Sequence, residues 1–166
     1  MAVVFHDFSV KVTEQTTEAL IAGLYEAAGE IEARTKRNSR QGHTYGDIQA
    51  TALWDHKVNE GKLEAQIGSP YEAGFWEEFG TGEYAKNKDG RKGWWVYIEG
   101  QDSGSGGKTY STKEEAEQAA LFLRQSKKLN AYATNGIEPN EPLLRAFKSA
   151  KPVVKAIFDD KMKGLG

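Results

Sequence analysis

Apolar residues near the start of the chain recur three or four positions apart, at Leu20, Leu24, Ala27 and Ile31. This spacing places them on one face and predicts an amphipathic helix of about 20 residues. A threonine side chain can cap the start of this helix, and the candidates are Thr13, Thr16 and Thr17. The basic and polar run that follows ends the pattern.

A second helical pattern follows Pro142 and includes Leu143, Leu144, Phe147, Ala150, Val154 and Ile157. Pro152 interrupts it. Because proline lacks an amide hydrogen and clashes with the preceding turn, we expect a kink or two short helices there. A third helix is predicted after Ser111, since the run Ser-Thr-Lys-Glu has the form of a capping box.

Other segments alternate between apolar and polar residues, as β-strands do. Val3–Val12 predicts a first strand, and Trp94–Ile98 predicts a late one. A hairpin is predicted around the turn Asn59–Gly61, with Ala52, Trp54, His56, Val58, Leu63, Ala65 and Ile67 as its alternating apolar positions.

The segment Tyr71–Gly82 is rich in aromatic residues and runs into a glycine turn. We interpret it as a strand, in which Tyr71, Phe75 and Phe79 share the core face and Trp76 and Glu78 occupy the other. Large groups on both faces indicate a strand covered twice. The predicted fold class is α+β: a mainly antiparallel β-sheet packed with a long N-terminal helix and a kinked C-terminal helix.

Length and composition narrow the possible functions. A chain of 166 residues is most simply a single domain, and a formal net charge of −2 gives no overall basic field for nucleic acid. The absence of cysteine excludes disulfides, thiol nucleophiles and cysteine-bound metals. No secretory signal is predicted, and no apolar run approaches the roughly 20 residues that span a bilayer.

Two patterns resemble chemical motifs without meeting their requirements. Gly104–Thr109 is similar to the end of a phosphate-binding loop, but Asp102 stands where the strict pattern needs glycine, and its charge would repel phosphates. A flexible linker over Gly100–Gly107 is the better account. Glu77 and Glu78 would point to opposite faces of a strand, so they cannot form a catalytic carboxylate pair across a cleft.

The remaining polar candidates are also weak as chemistry. The histidines, His6, His43 and His56, show no ligand spacing, so no metal, cofactor or catalytic residue is predicted. The basic run Lys36–Gln41 is either a solvated helix end or a contact for an acidic subunit or for phosphates. Trp94 and Trp95 are adjacent on a predicted strand, so one of them faces outward, as interface aromatics do.

The stretch Tyr71–Gly82, followed by Gly90-Arg91-Lys92-Gly93-Trp94, resembles a motif of the small neck proteins of long-tailed bacteriophages, Y-A-x-Y-V-E-F-G-T-G and then G-R-K-G-G-W. Thr44–Ile48 resembles the T-G-x-L segment of that family, although Tyr45 interrupts it. Thr134–Phe147 resembles its close, T-x-G-x-x-P-x-P-F-L-R-P-A. Against this pattern, residues from about 100 to 133 are an insertion with an extra helix in the single domain 1–166.

The resemblance implies a structural virion protein without enzymatic activity. Family members form rings, often sixfold, that complete the tail tube and join it to the head. The implied partners are other copies of the chain in a ring, expected to be a hexamer, the tail-tube protein and the head-side stopper, with DNA passing through the lumen. The implied location is the virion neck, and the host cytoplasm before assembly.

We expect the interface residues to be Lys36, Arg37, Arg40, Trp76, Glu78, Gly80, Thr81, Arg91, Lys92, Trp94 and Trp95. Two alternatives remain open at this point. One is a nucleic-acid-binding module that uses the basic loops, with Trp94 or Trp95 as a stacking platform. The other is a hydrolase, for which no convincing carboxylate can be named.

Overall fold

The computed structural model describes residues 9–99 and 107–163, with side chains from Glu14 onward. The fold is α+β, as predicted. Its helices are α1 (Ser9–Asn38), α2 (Glu72–Phe79), α3 (Lys113–Lys127) and α4 (Pro142–Lys163). Its strands are β1 (Thr44–Tyr45), β2 (Ile48–Gln49), β3 (Asp55–Asn59), β4 (Glu64–Gly68), β5 (Trp95–Ile98) and β6 (Ala131–Thr134).

Within the described ranges, the strands pair as three separate two-stranded antiparallel sheets, β1–β2, β3–β4 and β5–β6, and not as one sheet. Strands this short bury too little surface to be stable alone. Two of the three pairs lie against a helix: the β3–β4 hairpin packs on α1, and the β5–β6 ribbon packs on α3, where Ala116 and Ala120 are buried.

The main helix pair is α1 with α4. Some of the predicted apolar positions form its core, since Ile31 packs with Ala146, Ala150 and Val154. Leu144 and Phe147 were predicted in the same pattern but are exposed. Further along, the Phe158 ring lies so close to Gly23 that an added Cβ would be 2.6 Å from it. Small residues on both helices thus let the two axes approach. The α4 helix runs through Pro152 as one element and is not divided there.

Several predicted boundaries are wrong. Helix α1 already begins at Ser9, so the described part of the expected first strand is helical, while residues 1–8 lie outside the described residues. Thr13, Thr16 and Thr17 therefore lie inside α1 and do not cap its start. The β3–β4 hairpin is confirmed, but Ala52 and Trp54 precede β3, and Ala52 lies in a short 3-10 helix. The turn extends to Leu63, which is exposed and has a positive φ of 51°. Residues 100–106 of the expected linker lie outside the described ranges.

The helix α3 after the linker is confirmed, and its N-cap is Thr112, whose hydroxyl accepts a hydrogen bond from the Glu115 amide at 3.2 Å. Strand β5 is confirmed as well. Its partner β6 was not predicted. The register pairs Trp95 with Thr134 and Tyr97 with Tyr132, which places these four residues on one face of the ribbon.

The most consequential difference concerns Tyr71–Gly82, which is not a strand. Residues Glu72–Phe79 form helix α2, followed by the single helical turn Gly82–Tyr84. Positions four apart share a face in a helix as well as in a strand, so the aromatic spacing is ambiguous. The absence of β-branched residues from Glu72–Phe79 was the available signal for a helix.

Glycine is required at position 82, at the start of the helical turn that follows α2. Gly82 has a φ of 60°, and a Cβ there would overlap the Asn135 carbonyl oxygen and the Trp95 ring. We expect Gly82→Ala to lower the free energy of unfolding by about 3 kcal/mol, through left-handed strain and overpacking. Chemical denaturation measures this change.

Gly29→Ala is the matched control, because a Cβ at Gly29 meets nothing within 4 Å and the residue lies inside α1. We expect this variant to gain about 0.5–1 kcal/mol from helix propensity. A loss of stability in both variants, or in neither, would contradict this account of Gly82.

Candidate interaction site

The two longest sequence motifs meet at one joint between chain segments. The Thr81 amide donates to the Ile137 carbonyl at 2.8 Å, and the Ile137 amide donates to the Thr81 hydroxyl at 3.0 Å. The Glu83 amide donates to the Asn135 carbonyl at 2.9 Å. Gly80 lies so close that an added Cβ would be 2.7 Å from the Ile137 carbonyl oxygen. Gly80 and Thr81 are thus parts of this joint.

Below the joint, the Glu77 carboxylate is fully buried and binds three other parts of the chain. It accepts hydrogen bonds from the Arg40 amide at 3.0 Å, the Arg40 guanidinium at 2.7 Å and the Asn140 side-chain amide at 2.6 Å. The Tyr45 hydroxyl donates to the same carboxylate. One side chain therefore connects α2 to the end of α1, to β1 and to the segment before α4.

These contacts also set the protonation state of Glu77. Burial by itself would raise the pKa of its carboxyl group. The hydrogen bonds from Tyr45, the Arg40 amide and Asn140, together with the Arg40 charge, outweigh burial and hold that pKa below its ordinary value. Burial and the neighbouring Glu77 carboxylate raise the pKa of the Tyr45 phenol, so Tyr45 remains a hydrogen-bond donor.

Glu78 is the N-terminal cap of α4. Its carboxylate accepts hydrogen bonds from the Leu143 amide at 2.9 Å and the Leu144 amide at 3.1 Å. A negative charge at this end also complements the helix dipole. Glu78 is only 7% exposed, so it contributes to the fold and offers little surface to a partner. Glu78 is among the expected interface residues, but its contacts here are within the fold.

An aromatic cleft of about 530 Å³ opens above the Glu77 cluster, between α2 and β1 on one side and the β5–β6 ribbon on the other. Its rings come from His43, Tyr45, Trp76, Trp95, Tyr97 and Tyr132. Four of the predicted interface residues, Trp76, Thr81, Arg91 and Trp95, line this one cleft. The Tyr45 ring forms part of the wall, while its hydroxyl is held by Glu77 beneath.

Arg91 lines the aromatic cleft, and several contacts hold its side chain in place. Its guanidinium lies 5.0 Å from the Trp95 ring centroid and donates to the Thr109 hydroxyl at 2.9 Å and to the Gly107 carbonyl. Lys92 is exposed, and Trp94 is half-buried beneath Lys113, whose ammonium lies 5.9 Å from the ring centroid. As expected of two adjacent strand residues, Trp95 is buried and Trp94 less so.

The exposed side of α2 carries an aromatic stripe formed by Phe75, Phe79 and the preceding residue Tyr71. These side chains are 45%, 51% and 37% exposed, so the prediction that they form the core face is wrong. The two phenylalanine rings are in contact and tilted against each other, with centroids 4.8 Å apart. The buried face of α2 is instead formed by small and acidic residues, among them Ala73 and Gly74.

The predicted basic run is largely neutralised by acids of the same chain. Lys36 pairs with Glu32, and Arg40 with the buried Glu77. Arg37 is the most exposed of the three, and its guanidinium lies 3.8 Å from Glu30. These cations therefore pair with acids at the end of α1. Of the two interpretations of the basic run, this agrees better with a helix end than with a phosphate contact.

The polar groups near the cleft are also engaged. The Thr81 hydroxyl accepts from the Ile137 amide, and the Thr134 hydroxyl bonds to both polar backbone groups of Gly136.

Elsewhere in the described residues, potential metal-ligand atoms of Glu32, Asp55 and His56 lie within 4.8 Å of one another. The sequence spacing did not predict this cluster. His56 and Lys36 already bind the Glu32 carboxylate, which makes it an internal ion-pair network.

Comparison with known proteins gave no match to a family model, a curated protein or a solved structure. Across residues 9–99 and 107–163, no helix has the combination of length and apolar character that crossing a bilayer requires. Four rings of the cleft, His43, Tyr45, Tyr97 and Tyr132, were not predicted as parts of the site. Their only signal was aromaticity on or beside short strands, and Tyr97 and Tyr132 meet through the unpredicted ribbon pairing.

The buried ion pair predicts a large effect for one charge-removing substitution. We expect Glu77→Gln to lower the free energy of unfolding by about 3 kcal/mol, because it leaves the partly buried Arg40 without its countercharge. Denaturation at neutral pH measures the loss. Glu138→Gln is the control, since Glu138 is exposed and nearby; it should change stability by less than about 0.5 kcal/mol.

The lowered pKa of Glu77 predicts how this difference depends on pH. A carboxyl group with a lower pKa in the folded state stabilises the protein above its unfolded-state pKa. That stabilisation is lost as the pH falls through the folded-state pKa. The stability difference between the wild type and Glu77→Gln should therefore shrink on acidification. A difference that is constant from neutral to acidic pH would contradict the proposed charge state.

Proposed function

We propose that this chain is a structural protein of the phage neck that completes the tail tube and joins it to the head connector as a ring. The proposal rests on the two motifs that resemble neck proteins, Tyr71–Gly82 and Thr134–Phe147. In this chain they meet through reciprocal hydrogen bonds between Thr81 and Ile137. Residues far apart in sequence thus contribute to one structural unit, and this observation carries the proposal.

The surface around that unit supports an assembly role. Helix α2 presents the aromatic stripe to solvent and, on the adjacent face, Trp76 to the aromatic cleft. Exposed aromatic residues are enriched where proteins meet. Two different surfaces on adjacent faces of one helix suit a head-to-tail contact, in which a patch of one subunit meets a different patch of the next. Repetition of such contacts closes a ring.

The polar residues give the alternatives less support. The buried carboxylates of Glu77 and Glu78 are used as an ion-pair partner and a helix cap, so they are not free for hydrolysis. The cations Lys36 and Arg40 are paired with carboxylates of the same chain, so their charges are less available to bind phosphates. An assembly function needs neither a catalytic group nor a basic groove.

Deletion of the gene tests the proposal directly. We expect lysates of the deletion strain to contain separate heads and tails, with some tails of abnormal length, because an uncapped tube can continue to add subunits. Electron microscopy scores the particles, and a plasmid copy of the gene should restore joining. Normal infectious particles in the deletion strain would refute the proposed function.

The same complementation assay tests the aromatic stripe. We expect a Phe75→Ser and Phe79→Ser double variant to fold but to restore joining poorly, because it removes exposed rings that the monomer does not bury. Tyr25→Ser is the matched control, since Tyr25 is 47% exposed on α1. Equal joining by both variants, at equal protein levels, would exclude the stripe from the neck contacts.

A further inference from the structure

Three side chains of the metal-binding type converge between α1 and the start of β3. Glu32 lies on α1, Asp55 and His56 are the first two residues of β3, and their potential ligand atoms all lie within 4.8 Å of one another. The helix and the strand pack together, and β3 is itself held by pairing with β4. Two regular elements therefore fix the relative positions of these groups, which is the support that a binding site needs.

The ion pairs of this cluster do not account for Asp55. Lys36 and His56 bind the two oxygens of the Glu32 carboxylate, so that carboxylate is satisfied without Asp55. In the described part of the chain, no cation lies within 4.0 Å of the Asp55 carboxylate. Its Oδ1 atom accepts a hydrogen bond from the His56 amide at 2.8 Å, which keeps a second carboxylate close to Glu32. Two neighbouring carboxylates repel each other unless a cation lies between them.

The donor set indicates which cation fits. One imidazole nitrogen and two carboxylate oxygens are ligands that Zn²⁺ accepts in proteins, and a water molecule completes a tetrahedral site with three protein ligands. Bonds of about 2.0–2.2 Å place such ligand atoms roughly 3.3 Å apart. Small rotations of the three side chains reach this separation from their present positions.

We propose that Glu32, Asp55 and His56 bind a Zn²⁺ ion. The ion takes the place of the proton between Nδ1 of His56 and Oε2 of Glu32, and Asp55 supplies the third ligand. Lys36 contacts the other oxygen, Oε1, and its side chain is 40% exposed, so its ammonium group can turn into solvent as the ion binds. The bound ion would join the β3–β4 hairpin to α1. This inference is independent of the neck function, because it requires only one chain.

Calorimetric titration of the full chain with zinc chloride tests the site, on protein prepared without a histidine tag. We expect one Zn²⁺ ion to bind per chain. His56→Ala and Asp55→Asn should each weaken binding at least about tenfold, because each removes a ligand. His43→Ala is the matched control, since His43 is exposed and lines the aromatic cleft, and it should leave the affinity unchanged.

Substitution of Lys36 distinguishes a metal site from an ion-pair network. Lys36→Met keeps a good helix former and removes the cation that repels Zn²⁺, so it should tighten binding about tenfold. Lys62→Met is the control, because Lys62 is exposed in the turn at the far end of the hairpin. Zinc affinity that is equal in both variants would show that Lys36 does not face the ion and would contradict the proposed site.

Nitrogen-15 NMR of the imidazole rings gives a readout in the unaltered chain that depends on no substitution. We expect Zn²⁺ to shift the Nδ1 resonance of His56 and to leave that of His43 in place. The inference is overturned by the absence of saturable binding, by a shift of another histidine in place of His56, or by binding that survives both His56→Ala and Asp55→Asn. None of these results bears on the joining of heads to tails, which deletion of the gene tests separately.

Discussion

The buried carboxylate of Glu77 is the interaction on which the rest of this structure depends. A fully buried charge is tolerated only when it is paired and hydrogen-bonded, and Glu77 meets both conditions through Arg40, Tyr45 and Asn140. Its partners come from separate parts of the chain, so the ends of α1 and α4 are held against α2 by one side chain. The neighbouring Glu78 adds the cap of α4. Two adjacent glutamates thereby position the wall of the aromatic cleft and the first turn of α4.

This use of acidic residues inside explains why aromatic residues remain outside. Helix α2 is short, and its inner face is occupied by small residues and by Glu77 and Glu78. The large rings of Tyr71, Phe75 and Phe79 are left on the solvent side. A monomer has no energetic reason to expose such surface, whereas an assembly can bury it. The aromatic stripe and the aromatic cleft are the surfaces that the proposed assembly would bury.

Much of the fold was predictable from local patterns. The apolar spacing of α1 and α4, the alternation around the β3–β4 turn and the cap of α3 are signals carried within a few residues. The prediction for Tyr71–Gly82 failed because a four-residue aromatic spacing is compatible with both a helix and a strand. Strand β6 was missed because Ala131–Thr134 has little pattern of its own and is ordered by pairing with β5. Among the predicted interface residues, Trp76, Thr81, Arg91 and Trp95 line one cleft, whereas Glu78 is buried.

The sequence by itself determined the α+β class, the long helices and the residues of the two motifs, because short-range periodicity and capping depend only on nearby side chains. Tertiary structure decided which face of each element is buried. That choice depends on long-range partners: Arg40 and Asn140 draw Glu77 inward, the Asn135–Ile137 segment closes on Gly80–Gly82, and β6 completes the ribbon beside the cleft. A local pattern can indicate that a segment has two different faces. Only the other segments that fold against it decide which one remains for a partner.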